Sequence, residues 1–128
     1  MDREPHRQFH IVIVGPCAAG KTTLVRGLWA QGFAKARVVA QEHSGVPDLW
    51  RKRGQPDVLI YLDVKLETIA ARQQRSDWTT DYLTEQQLRL QSARAACDVY
   101  LPTDDLTIEE VLNRIVEYVR RDKVTSNE

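Results

Sequence analysis

Phe9-His10-Ile11-Val12-Ile13-Val14-Gly15-Pro16-Cys17-Ala18-Ala19-Gly20-Lys21-Thr22 is the stretch that decides the fold of this chain. Its opening residues form a nearly continuous apolar run, which suits a strand buried on both faces inside a parallel sheet. The run ends at Gly15, and from Lys21 the apolar spacing becomes helical. Leu24, Val25, Leu28 and Trp29 share one face of a helix expected to stop near Gly32.

Between strand and helix, Gly15-x-x-x-x-Gly20-Lys21-Thr22 satisfies the phosphate-loop pattern at every position. Backbone amides of such a loop converge with the helix N-terminus on one concavity, where the helix dipole also favours negative charge. Gly15 through Thr23 are therefore expected to hold the triphosphate of a purine nucleotide, ATP, together with magnesium. Gly15 and Gly20 allow close approach, with Pro16, Cys17, Ala18 and Ala19 between them. Lys21, expected to face solvent, neutralises the outer phosphates, and the Thr22 hydroxyl ligates Mg2+.

Working outward, Ala36 to Glu42 reads as a second strand and Asp57 to Asp63 as a third, strongly apolar one. In the connector between them, Pro47 and Gly54 frame one or two helical turns across Asp48 to Arg53. Lys65 to Arg75 carries Leu66, Ile69 and Ala70 at helical spacing. Thr84 with Gln87 resembles a capping box opening a helix to about Ala96. Asp98 to Leu101 is a fourth strand, and Thr107 with Glu110 caps a last helix striped by Ile108, Val111, Leu112, Ile115, Val116 and Val119. Alternating strands and helices imply a three-layer α/β domain. We expect a four-stranded parallel sheet ordered 2-1-3-4, with ligands held beyond the carboxyl ends of its strands.

At 128 residues, 42% of them apolar and 28% charged, the chain suits one compact domain. Eighteen basic residues balance eighteen acidic ones, so no global field draws it to nucleic acid or to an anionic membrane. No apolar stretch approaches a bilayer span, and residues 1–8 lack the apolar centre of a secretory signal, so a cytoplasmic location is expected. Cys17 and Cys97 have no zinc spacing and read as free thiols. Oxidation of Cys17, inside the loop beside Lys21, is expected to block nucleotide binding.

Phosphoryl transfer also needs a carboxylate to serve magnesium or to take a proton. Glu42 is expected at the end of the second strand, followed by His43, and either of those tasks would suit it. Asp63, at the end of the third strand, either holds magnesium or caps the helix from Lys65. Arg72 and Arg75 end one helix, and Arg89 and Arg94 lie on the next, so guanidinium groups can close over the phosphates as a lid. Arg51, Lys52 and Arg53 offer an anion-facing patch. Trp50, Trp78 and Tyr82 are assigned to connectors, where they either stack on a base or pack a loop.

These features together resemble the phosphate-loop small-molecule and nucleotide kinases, with the thymidylate-kinase-like and the shikimate- or gluconate-kinase-like proteins nearest in pattern. Pro56 to Val64 followed by Glu67 to Arg75 is similar to the strand, helix and arginine lid of thymidylate-kinase-like proteins. Cys97 to Leu101 is similar to their final strand. The resemblance implies transfer of the γ-phosphate of Mg-ATP to a small-molecule acceptor, with Lys21, Glu42, Arg72 and Arg75 catalytic and adenine resting near Pro102 to Leu106. The chain departs from that family where an acceptor-binding segment and another strand belong, since only His43 to Pro56 remain there. The alternative is a nucleotide-binding module without useful turnover that acts through a partner protein or a second copy. A guanine-nucleotide switch is disfavoured, since neither Asn-Lys-x-Asp nor Asp-x-x-Gly occurs.

Overall fold

The computed structural model describes residues 8–74 and 79–123. β1 (Ile11–Val14) leads through the loop into α1 (Lys21–Ala30), which is followed by β2 (Ala36–Val38), a 3-10 turn at Gln41–His43 and α2 (Leu49–Gly54). Then come β3 (Val58–Asp63), α3 (Leu66–Gln73), α4 (Thr80–Arg89), α5 (Gln91–Ala96), β4 (Val99–Pro102) and α6 (Ile108–Tyr118), extended by a wider π turn at Val119–Lys123.

The four strands form one parallel sheet in the expected order β2-β1-β3-β4. β1 sits inside it, with Ile13 beside Val38 on one flank and Ile60 on the other. All four of its residues are fully buried. Alternation along the strands divides the core into two. Ile11, Ile13, Val58, Ile60 and Leu62 meet Leu24, Val25 and Leu28 of α1, Ile69 of α3, and Val111, Ile115 and Val116 of α6. Val12, Val14, Leu59 and Tyr61 meet Trp50 of α2, with Leu90 and Ala93 at α5. Each fully buried leucine or isoleucine in these layers contributes about 1.5–3 kcal/mol relative to exposure.

Several local expectations need correction. β2 ends at Val38, and Glu42 stands on the 3-10 turn beyond it rather than closing the strand. Val39 already leaves the ladder, although its N–H still reaches Ile13 O at 3.1 Å. The helix expected to be capped by Thr84 is capped five residues earlier. Thr79 is its N-cap, accepting from the Tyr82 N–H, and Thr84 lies exposed inside α4. A break at the buried Leu90 separates α4 from α5. Trp50 belongs to the core, and its indole N–H donates to Ser92 Oγ across the layer. Tyr82 is an exposed residue of α4, and Trp29, set on the apolar face of α1 by its spacing, is half exposed. Gly54 is the last residue of α2, not the one past it, and the left-handed position falls to Gln55. A Cβ on Gly54 would lie 2.3 Å from Val12 Cγ2, so α2 rests directly on β1 there. The capping box of α6 forms as expected, with Thr107 Oγ1 accepting from the Glu110 N–H and the Glu110 carboxylate from the Thr107 N–H. No helix of the described residues is long and apolar enough to cross a membrane.

Candidate phosphate-binding site

The loop leaves the carboxyl end of β1 pressed against its neighbour. A Cβ on Gly15 would stand 2.1 Å from the carbonyl oxygen of Leu62, so any side chain there would separate β1 from β3. Gly20 turns into α1 at φ +100°, a left-handed position with open space around it. Ala18 also has positive φ, at 61°.

The carbonyls of this loop are held by groups from far along the chain. Thr103 Oγ1, buried in the β4–α6 connection, donates to Ala19 O at 2.8 Å. Arg72, in the last turn of α3, donates to Ala18 O at 2.7 Å and to Thr103 O at 2.6 Å. Because C=O and N–H point in opposite directions across a trans peptide, fixing Ala19 O from behind aims the Gly20 N–H the other way. The amides of the first turn of α1 have no partner inside their own helix and extend the same donor set.

Lys21 departs from expectation. It is buried, not solvent-facing, and its ammonium gives its three hydrogens to Gly15 O at 2.7 Å, Pro16 O at 2.8 Å and Glu42 Oε2 at 3.0 Å. Glu42 is buried as well, and its other oxygen, Oε1, has no hydrogen-bond partner. Arg89 of α4 donates to the Glu42 carbonyl at 3.2 Å, which holds the 3-10 turn toward the loop. His43 and Cys17 join the same group, with His43 Nε2 3.4 Å from Cys17 Sγ and 3.8 Å from Glu42 Oε2. Gln86 of α4 brackets Cys17, accepting from its N–H at 3.1 Å and donating to its sulfur at 3.2 Å.

On the other side of the loop a cleft of ≈ 740 Å³ runs from the first turn of α1 to the start of α6. Thr23, Arg72, Thr103, Leu106 and Ile108 are among its walls, and its volume falls within the roughly 300–1,000 Å³ of small-molecule sites. Thr22 and Thr23 are exposed along its edge, so the Thr22 hydroxyl is accessible to a cation.

Asp63 is placed apart from this group. It lies on the sheet face of Leu59 and Tyr61, where one carboxylate oxygen accepts from the Val64 N–H at 2.9 Å and the other takes the Tyr100 hydroxyl. That hydrogen bond, with burial adding to it, raises the phenol pKa of Tyr100 above its ordinary value. The start of α3 is held by Asp104 instead, which accepts from the Lys65 N–H at 2.9 Å and the Thr68 hydroxyl at 2.6 Å. Arg51 lies over the Trp50 ring, in a hollow shared with Pro56, Leu59 and Asp98 at the amino end of β3, away from the loop. Arg94 stacks on Tyr100. Arg75 and Trp78 lie outside the described residues.

Sequence reasoning missed Thr103, Gln86 and Asp104. No local motif marks them, and their partners are 84, 69 and 39 residues away. Among the comparisons with known proteins, no protein-family model matches this chain and no curated protein matches it.

Proposed function

We propose that the chain binds Mg-ATP on the Gly15–Thr23 loop and passes the γ-phosphate to a small-molecule acceptor, as a minimal kinase of the phosphate-loop class. The observation that carries this is the meeting of Lys21 and Glu42 at the loop, a phosphate-neutralising cation beside a buried carboxylate. The cleft lined by Thr103 and Leu106 gives the nucleoside a place next to the same loop. A phosphate oxygen entering the concavity replaces one of the acceptors of Lys21, and Thr22 takes the magnesium. Turned toward phosphate, Lys21 releases Glu42 Oε2. The carboxylate then accepts the proton of the acceptor hydroxyl as its oxygen bonds to the γ-phosphorus and the bond to the bridging oxygen breaks, releasing ADP. Arg72 acts chiefly from behind, through the loop carbonyls it holds. The cytoplasm, where Mg-ATP is abundant, is the compartment that fits this activity.

A second reading, a nucleotide-binding module without turnover, is favoured by the short path from His43 to α2, which leaves little chain for an acceptor platform. Transfer of labelled γ-phosphate from Mg-ATP to pooled small metabolites separates the two. Labelling that disappears in Glu42→Gln, while ATP still binds, supports the kinase. ATP bound with nothing labelled leaves the binding module, and no ATP binding at all overturns both.

A further inference from the structure

We propose that Cys17, Glu42 and His43 form a zinc site on the side of the loop opposite the cleft. One donor atom from each residue lies within 4.8 Å of the other two, the one such group of three among the described residues. A tetrahedral zinc ion with ligands at 2.0–2.3 Å sets its donor atoms about 3.3–3.6 Å apart. The 3.4 Å from Cys17 Sγ to His43 Nε2 matches that already, and a carboxylate oxygen of Glu42 lies within 4.8 Å of both atoms.

Glu42 Oε1 supplies the independent observation. It is a carboxylate oxygen, buried and without a hydrogen-bond partner, in a side chain only 5% exposed. Such atoms are rare in folded proteins and a cation satisfies them. Lys21 occupies the other oxygen, so the ammonium and the metal need not compete for one atom. Lys21 and Arg89 are the cations facing this group, and both approach it through Glu42.

The surroundings also suit a metal thiolate. Gln86 directs an N–H at the Cys17 sulfur and fixes the Cys17 backbone with its carbonyl oxygen, an outer shell that orients the ligand. His43 is exposed, which gives an ion a path in and leaves a fourth position open to water. Sulfur and imidazole select zinc over magnesium, so this site is distinct in chemistry from the one at Thr22. It stands independently of the kinase reading, because its test needs no nucleotide.

The test is titration of the reduced, metal-stripped full chain with Co2+ and then Zn2+. One equivalent of cobalt should give a sulfur-to-cobalt charge-transfer band and the visible bands of four-coordinate cobalt, and zinc should bleach both. In competition with a chromophoric chelator, Cys17→Ser and His43→Ala should each weaken zinc binding at least about tenfold, while Cys97→Ser leaves it unchanged. Far-ultraviolet circular dichroism checks that each variant is folded. Absence of the charge-transfer band, its survival in Cys17→Ser, its loss in Cys97→Ser or undiminished affinity in His43→Ala would overturn the assignment.

Discussion

Lys21 Nζ lies 3.0 Å from Glu42 Oε2, and both side chains are more than nine-tenths buried. Removing one member of such a pair leaves a charge without compensation, which costs about 3–5 kcal/mol, whereas removing both charges costs far less. Lys21→Ala should therefore lower stability by several kcal/mol in urea unfolding, as well as abolishing ATP affinity. Lys21→Ala with Glu42→Gln should regain most of that stability and none of the affinity. Equal midpoints for the single and double variants would remove the pair from the account of stability.

Thr103→Val keeps the shape of a buried side chain and deletes the hydroxyl that holds Ala19 O. The expected loss is about 1–3 kcal/mol, the cost of a buried carbonyl left without its donor. Since the same bond aims the Gly20 N–H, ATP affinity should fall by roughly tenfold. Calorimetric titration beside thermal unfolding measures both, and a variant with altered stability but native affinity would separate the clasp from binding.

Gly15→Ala and Gly20→Ala should differ sharply. A methyl at position 15 collides with the Leu62 carbonyl, so that variant should lose more than about 3 kcal/mol or fail to fold. Position 20 has room and suffers only from its left-handed backbone, about 1–2 kcal/mol. Similar midpoints in denaturant for the two would contradict the close approach of β1 to β3.

Asp104 carries a pH signature. Burial tends to raise its pKa, but the Lys65 N–H and the Thr68 hydroxyl outweigh that, and the carboxyl sits below its ordinary 3.8. A depressed folded-state pKa gives stability that is present above the unfolded value and lost as pH falls through the folded one. Asp104→Asn should thus cost about 1 kcal/mol at neutral pH, and the gap to the parent should close below about pH 4. A gap independent of pH would show that the charge of Asp104 contributes nothing.

The inner strands were legible because their evidence is local: an apolar run at Ile11–Val14, another at Val58–Leu62, and a phosphate-loop pattern that requires the first to lead into a helix. The α6 boundary was legible for the same reason, since Thr107 and Glu110 form their capping box within four residues. At α4 the same signal misled. Thr84 with Gln87 has the stronger local pattern, yet Thr79 caps the helix with no glutamate or glutamine three residues on. The pairing of Lys21 with Glu42 was out of reach, because it depends on β2 ending at Val38 and the chain turning back through a 3-10 turn. The displacement of Asp63 toward Tyr100 likewise follows from which face of β3 is even and which is odd relative to the loop.

The loop is gripped by Arg72, Thr103, Gln86 and its own Lys21, three of which arrive from the second half of the chain. The motif and the site are therefore different objects. A fragment stopping before α3 would carry every letter of Gly15 to Thr22 without the three distant hands that shape it, and peptides of that length should be poor mimics of the whole. Deletion mapping of nucleotide binding would find not a minimal segment around the glycines but a threshold near the beginning of α6.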